Sequence, residues 1–193
     1  MRTFLVSTVV FCALGVTAAH ADDQKYHSEV DLKKSDNGGY EQKVSTDSTD
    51  AQGTRVQHED SEKGKTTVLG GTKVTTKSET TTDPKGLMNK HTDKAEVTAK
   101  SDKDGNVTKK YSADSVDASN TAHSTRSETE TKVKDGRKEV STETKRVDDP
   151  EGLGNKQVTK VKTTEKQNAD GSTTTSVKRE KNGDVVEDTT HVH

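Results

Sequence analysis

The chain has 193 residues, 31 Lys and Arg against 33 Asp and Glu, no Trp, two Phe, and only 24% of residues from the hydrophobic set. Ordinary globular domains draw on about 45–50% apolar residues, so this composition excludes a thick apolar core. Charges of both signs are interspersed, so the sequence gives no sign of affinity for a nucleic-acid backbone.

The N-terminus reads as an export signal. Met1 and Arg2 give a positive start, and the stretch from Phe4 to Val16 is mostly apolar. That stretch is shorter than the about 20 residues a spanning helix needs, and it suits the core of a cleavable signal peptide. Ala19-His20-Ala21 supplies small residues at the two positions a signal peptidase reads, so cleavage is expected after Ala21. Cys12 is the sole Cys; it lies inside the apolar stretch behind bulky Phe11, which does not fit a lipid-attachment motif. The expected location is therefore periplasmic or extracellular, with no membrane attachment after cleavage and no disulfide in the mature chain.

From Asp22 onward, 32 of 172 residues are apolar, about half of them Val, and 28 are Thr. Low hydrophobicity of this degree is also the mark of disorder. Val and Thr are β-formers, however, and Pro occurs only at positions 84 and 150. Segment 22–35 reads as a leading β arm: Ser28-Glu29-Val30-Asp31-Leu32-Lys33-Lys34-Ser35 resembles Ala95-Glu96-Val97-Thr98-Ala99-Lys100-Ser101 further on.

Segment 36–193 reads as about five hairpin repeats of about 33 residues, the last truncated. One series of turn signals is Gly38-Gly39, Gly70-Gly71, Asp104-Gly105, Asp135-Gly136 and Asp170-Gly171. A second runs Asp50 to Gly53, Asp83 to Gly86, Asp117 to Asn120, Asp149 to Gly152 and Asn182-Gly183. Asp-Gly and Asn-Gly supply the positive φ that tight hairpins require. The blocks Asp83-Pro84-Lys85-Gly86-Leu87-Met88-Asn89-Lys90 and Asp149-Pro150-Glu151-Gly152-Leu153-Gly154-Asn155-Lys156 lie 66 residues apart and agree at six of eight positions. Proline presets the second position of such a turn. The spacing predicts a short arm of about 11 residues alternating with a long arm of about 17.

The arms alternate with period two. Val74, Thr76, Ser78, Thr80 and Thr82 share one side, while Lys73, Thr75, Lys77, Glu79 and Thr81 take the other. The expected fold is all-β: an antiparallel hairpin meander or solenoid of about ten polar Thr/Val/Lys/Glu strands, partly disordered where burial fails. The run Asp104-Gly105-Asn106-x-Thr108-x-x-Tyr111 resembles the hairpin repeats of bacterial YD/RHS-type proteins, although it occurs once. In composition the strands are similar to the single-layer sheets of spirochaete outer-surface lipoproteins, although the lipid-anchor Cys is lacking. Neither resemblance carries a function across.

Few residues suggest chemistry. His191 and His193 lie two apart, on one side of a strand, at a spacing able to share a metal ion. Asp102 and Asp104, before Gly105, resemble a fragment of a calcium loop but lack its distal Glu, and turn formation explains the same residues. No nucleophile elbow, zinc-protease, phosphate-loop or dinucleotide motif occurs. The three Tyr are scattered, which disfavours stacking on bases. The expectation is an exported, non-enzymatic structural or interaction protein without a cofactor, using strand edges for self-association or for a protein or surface partner. The alternatives are a disordered, solvating, stress-protective chain and a low-affinity divalent-cation binder.

Overall fold

The computed structural model describes residues 25–35, 38–67, 70–85, 90–117, 120–150 and 155–193. The signal segment and the centres of the two Asp-Pro blocks lie outside the described residues. The fold is all-β, with eleven antiparallel strands in one open sheet and no helix among the described residues. The strands are β1 (Lys25–Lys34), β2 (Tyr40–Thr49), β3 (Arg55–Thr66), β4 (Thr72–Asp83), β5 (His91–Ser101) and β6 (Val107–Val116). They continue as β7 (Ala122–Lys134), β8 (Arg137–Asp149), β9 (Gln157–Gln167), β10 (Thr173–Lys181) and β11 (Asp184–Val192). Spatial order equals sequence order, so the chain is a pure up-and-down meander, not a solenoid.

The turns follow from local chemistry. Six share one construction, at residues 35–39, 50–54, 67–71, 102–106, 117–121 and 168–172: the first residue's N–H donates to the fifth residue's carbonyl at 2.8–3.1 Å. The fourth residue carries positive φ in each; five times it is Gly, once Asn120. The side-chain oxygen of Asp50, Thr67, Asp102 or Asp117 accepts the fifth residue's N–H, which fixes four of these turns. Two further turns, Asp135-Gly136 and Asn182-Gly183, have positive φ at both residues, as two-residue hairpin loops require. Because strand direction alternates, the two series of turns line opposite ends of the sheet.

Arm lengths differ from expectation. All strands have 9–13 residues, and no arm reaches 17. The remainder of each interval belongs to the turns: Thr54 and Thr67, which flank β3, are the last and first residues of the 50–54 and 67–71 turns.

No described hydrophobic residue is buried. The sheet is one layer, wet on both faces, and each strand packs only against its neighbours in sequence. Its cohesion comes from the backbone ladder and from cross-strand side-chain pairs. Hydroxyl pairs recur along it, including Thr75–Thr98 at 3.2 Å, Thr81–Thr92 at 3.1 Å, Ser127–Thr144 at 2.9 Å and Thr129–Thr142 at 3.1 Å. Among the described residues no helix is long and apolar enough to cross a membrane.

Candidate interaction surface

The register sorts side chains onto two unlike faces. One carries Val, Thr and aromatic residues; Gln42, Glu62, Thr76, Val97, Tyr111, Ser127, Thr144 and Val161 form a single row across β2–β9. The other face is ionic. Its cross-strand pairs include Lys63–Glu41 at 2.9 Å, Lys77–Glu96 at 3.1 Å, Lys94–Glu79 at 3.1 Å and Lys110–Glu128 at 2.9 Å. Exposed pairs of this kind favour one register more than they add stability.

The Val/Thr face has one tightly built spot. Tyr40 lies opposite Gly64, and its ring covers the glycine so closely that a Cβ there would sit 2.1 Å from a ring carbon. The Tyr40 hydroxyl donates to Glu62 Oε1 at 2.5 Å, and Thr76 Oγ1 donates to Oε2 at 3.4 Å. Glu62, 8% exposed, is the sole buried charged side chain among the described residues. Burial, then the hydrogen bond to Glu62 and its charge, push the Tyr40 phenol up to about 12.

On the ionic face a shallow trough of about 860 Å³ lies over β4–β9. Lys73, Lys100, Lys110, Arg126, Lys145 and Lys162 line it together with Glu96, Glu128, Glu130 and Glu143. Three of those glutamates are already engaged: Glu96 by Lys77, Glu128 by Lys110 and Glu130 by Lys132. Lys65, Lys73 and Lys100 stand in direct cross-strand opposition on β3, β4 and β5. None of the three has a carboxylate among the described residues within ion-pair distance. Like charges at this spacing repel, so the row lowers stability where it stands.

The residues singled out from sequence are not brought together. The rings of His191 on β11 and of His193 just past it stack with centroids 6.3 Å apart. Asp102 and Asp104 occupy the β5–β6 turn, at the same end of the sheet but five strands away. The Asp102 carboxylate accepts the N–H groups of Asp104 and Asn106 at 2.9 and 3.0 Å, and the Asn106 amide at 2.7 Å. The Asn106 amide leads in holding its pKa below the usual carboxylate value. Its oxygens are thus committed to the turn. Among the described residues no group of three or more His, Cys, Asp or Glu is arranged to hold a metal ion.

The structure also shows a histidine that the sequence reading passed over. His123 on β7 bonds Asp148 on β8 at 2.6 Å through Nδ1 and Asp117 at 3.1 Å through Nε2. The hydrogen bond to Asp148, then that to Asp117, raises its pKa, while His123 lowers that of Asp148. The signal was available: the Asp135-Gly136 turn fixes the β7–β8 register, and that register places His123 opposite Asp148.

No protein-family model, curated protein or solved structure matches the chain.

Proposed function

We propose that the chain is an exported, non-enzymatic repeat protein whose single-layer sheet presents its ionic face to an anionic partner. The observation that carries this reading is the Lys65–Lys73–Lys100 row beside a trough whose glutamates are mostly engaged by other lysines. A bound polyanion relieves the repulsion along the row, so the opposed lysines that weaken the free sheet stabilise the complex. The trough is open to solvent, which suits binding of a charged surface. It does not suit catalysis, which calls for an enclosed, low-dielectric pocket.

The reading is tested with a sulfonated surface at low ionic strength and pH 8. Despite a formal net charge of −2, the chain should be retained. Salt should release it as the Debye length shrinks. Lys73→Glu combined with Lys100→Glu should abolish retention and leave the far-ultraviolet dichroism unchanged, because both side chains stand on a solvated face. No retention of the parent chain, or equal retention of the double variant, overturns the reading.

A further inference from the structure

The two edges of the sheet differ. β11 carries a register shift between Arg179 and Glu180, where Glu187 and Val185 pair with successive β10 residues and Val186 is left over. Such a bulge bends an edge and blocks addition of a further strand. β1 has no interruption: ten consecutive residues pair with β2 in one register. It also holds the most exposed run of large apolar side chains on the Val/Thr face, with Tyr26 at 69%, Val30 at 64% and Leu32 at 56%.

The backbone at this edge is ready to pair. Ser35 N–H donates to the Gly39 carbonyl, so positions 35 and 39 form a hydrogen-bonded pair. Hydrogen-bonded and non-hydrogen-bonded pairs alternate in an antiparallel ladder. In β1 the odd positions therefore bond β2, and Tyr26, Ser28, Val30 and Leu32 direct their N–H and carbonyl groups to the open edge.

We propose that this edge binds β1 of a second copy of the chain, antiparallel, with Ser28 on the two-fold axis. Strand parity argues for this joint. With eleven strands, β1 and β11 run in the same direction. Head-to-tail addition with matched faces is then a parallel pairing, the weaker kind, and it meets the bulge. A β1–β1 joint about an axis normal to the sheet is antiparallel and keeps like faces together.

Charge selects the register. A centre at Glu29 or Asp31 sets that carboxylate against its own copy, and a centre at Val30 sets Glu29 against Asp31 twice. A centre at Leu32 leaves only positions 30–34 of the strand overlapped. Centring on Ser28 pairs positions 25–31 with no opposed carboxylates. It sets His27 against Glu29 twice and Tyr26 against Val30 twice, and it leaves Ser28 facing Ser28. This surface is separate from the lysine row, so a chain that stays monomeric yet binds the sulfonated surface refutes the dimer and spares the anionic-partner reading.

The test is cysteine trapping combined with sedimentation. Ser28→Cys in the exported chain, whose sole native thiol at Cys12 leaves with the signal, places two thiols on a hydrogen-bonded pair with Cα atoms about 5.5 Å apart, within disulfide reach. Mild oxidation should give a covalent dimer, while Thr189→Cys on β11 in the same background stays monomeric. Val30→Lys should raise the dimer dissociation constant of the otherwise native chain by about tenfold. Equal cross-linking at both edges, no cross-linking at Ser28→Cys, or a parent chain that sediments as a monomer at every concentration overturns the proposal.

Discussion

The β7–β8 and β10–β11 hairpins are closed by the same device, a two-residue turn with positive φ at both positions. Beyond the turn they diverge. β7 and β8 pair over thirteen consecutive positions without a shift, and Ser127–Thr144, Thr129–Thr142 and His123–Asp148 bonds link them across the strands. β10 and β11 have nine residues each, lose register at Arg179/Glu180, and share the Ser176–Thr190 bond and an Arg179–Glu187 contact at 3.7 Å. β7 and β8 each have strands on both sides; β11 has one neighbour. The turn thus decides where a hairpin forms, and the neighbours decide how firmly it holds. In a sheet without a core, stability is a sum of strand-to-strand terms, as in other quasi-one-dimensional repeat folds.

The largest expected effect separates the two turns. Gly136 and Gly183 have φ of 73° and 97°, a conformation that costs an L side chain about 1–2 kcal/mol and a β-branched one more. Gly136→Val should cost about 2 kcal/mol and lower the melting temperature of the whole sheet. Gly183→Val carries similar local strain but should release only β11, read as lost amide protection confined to Asp184–Val192 and to the β10 amides that donate to β11. Equal global destabilisation by both substitutions would break the comparison.

A somewhat smaller effect is expected at Gly64. Gly64→Ala must displace the Tyr40 ring, at about 1 kcal/mol if the ring swings aside. The same spot gives a spectroscopic readout: one phenol should ionise near pH 12, and Glu62→Gln should bring that titration down. Since the Tyr40 pKa is raised above its usual 10.0, its contribution is complete below pH 10 and is lost as pH rises through about 12.

Removing the bulge sharpens the edge comparison. Deletion of Val186 should restore a regular β10–β11 ladder and increase β11 protection by less than about 1 kcal/mol. It should also flatten the edge enough to promote association, which sedimentation detects.

The smallest effect is the pH dependence of the β7–β8 clasp. The His123 pKa is raised from 6.5, so its contribution is complete below pH 6.5 and is lost as pH climbs past the raised value. Asp148, lowered from 3.8, contributes above pH 3.8 and loses that contribution as pH falls. Thermal melts of the parent chain and His123→Gln should differ most between those limits and converge in mild alkali.

Much of this architecture was legible because turn chemistry is local. Asp104-Gly105, Asp135-Gly136 and Asn182-Gly183 need positive φ whatever surrounds them, and each lies in a turn. Period-two alternation in β4 likewise gave its two faces. What escaped depends on several strands at once. The trough is lined by residues of six strands, β4–β9. The lysine row exists only after β3, β4 and β5 are set in register. The cover of Gly64 by Tyr40 joins residues 24 apart in sequence and has no local signature. His191 and His193 stand out in sequence by spacing alone, whereas His123, which is built into a cross-strand clasp, has no such neighbour in sequence.

The most direct test of the central claim, a stable single-layer sheet without a core, is residue-resolved amide exchange on the purified chain. Protection should run through β4–β9 and decline toward β11, with thermal unfolding still cooperative. Exchange at random-coil rates in every strand would contradict the account.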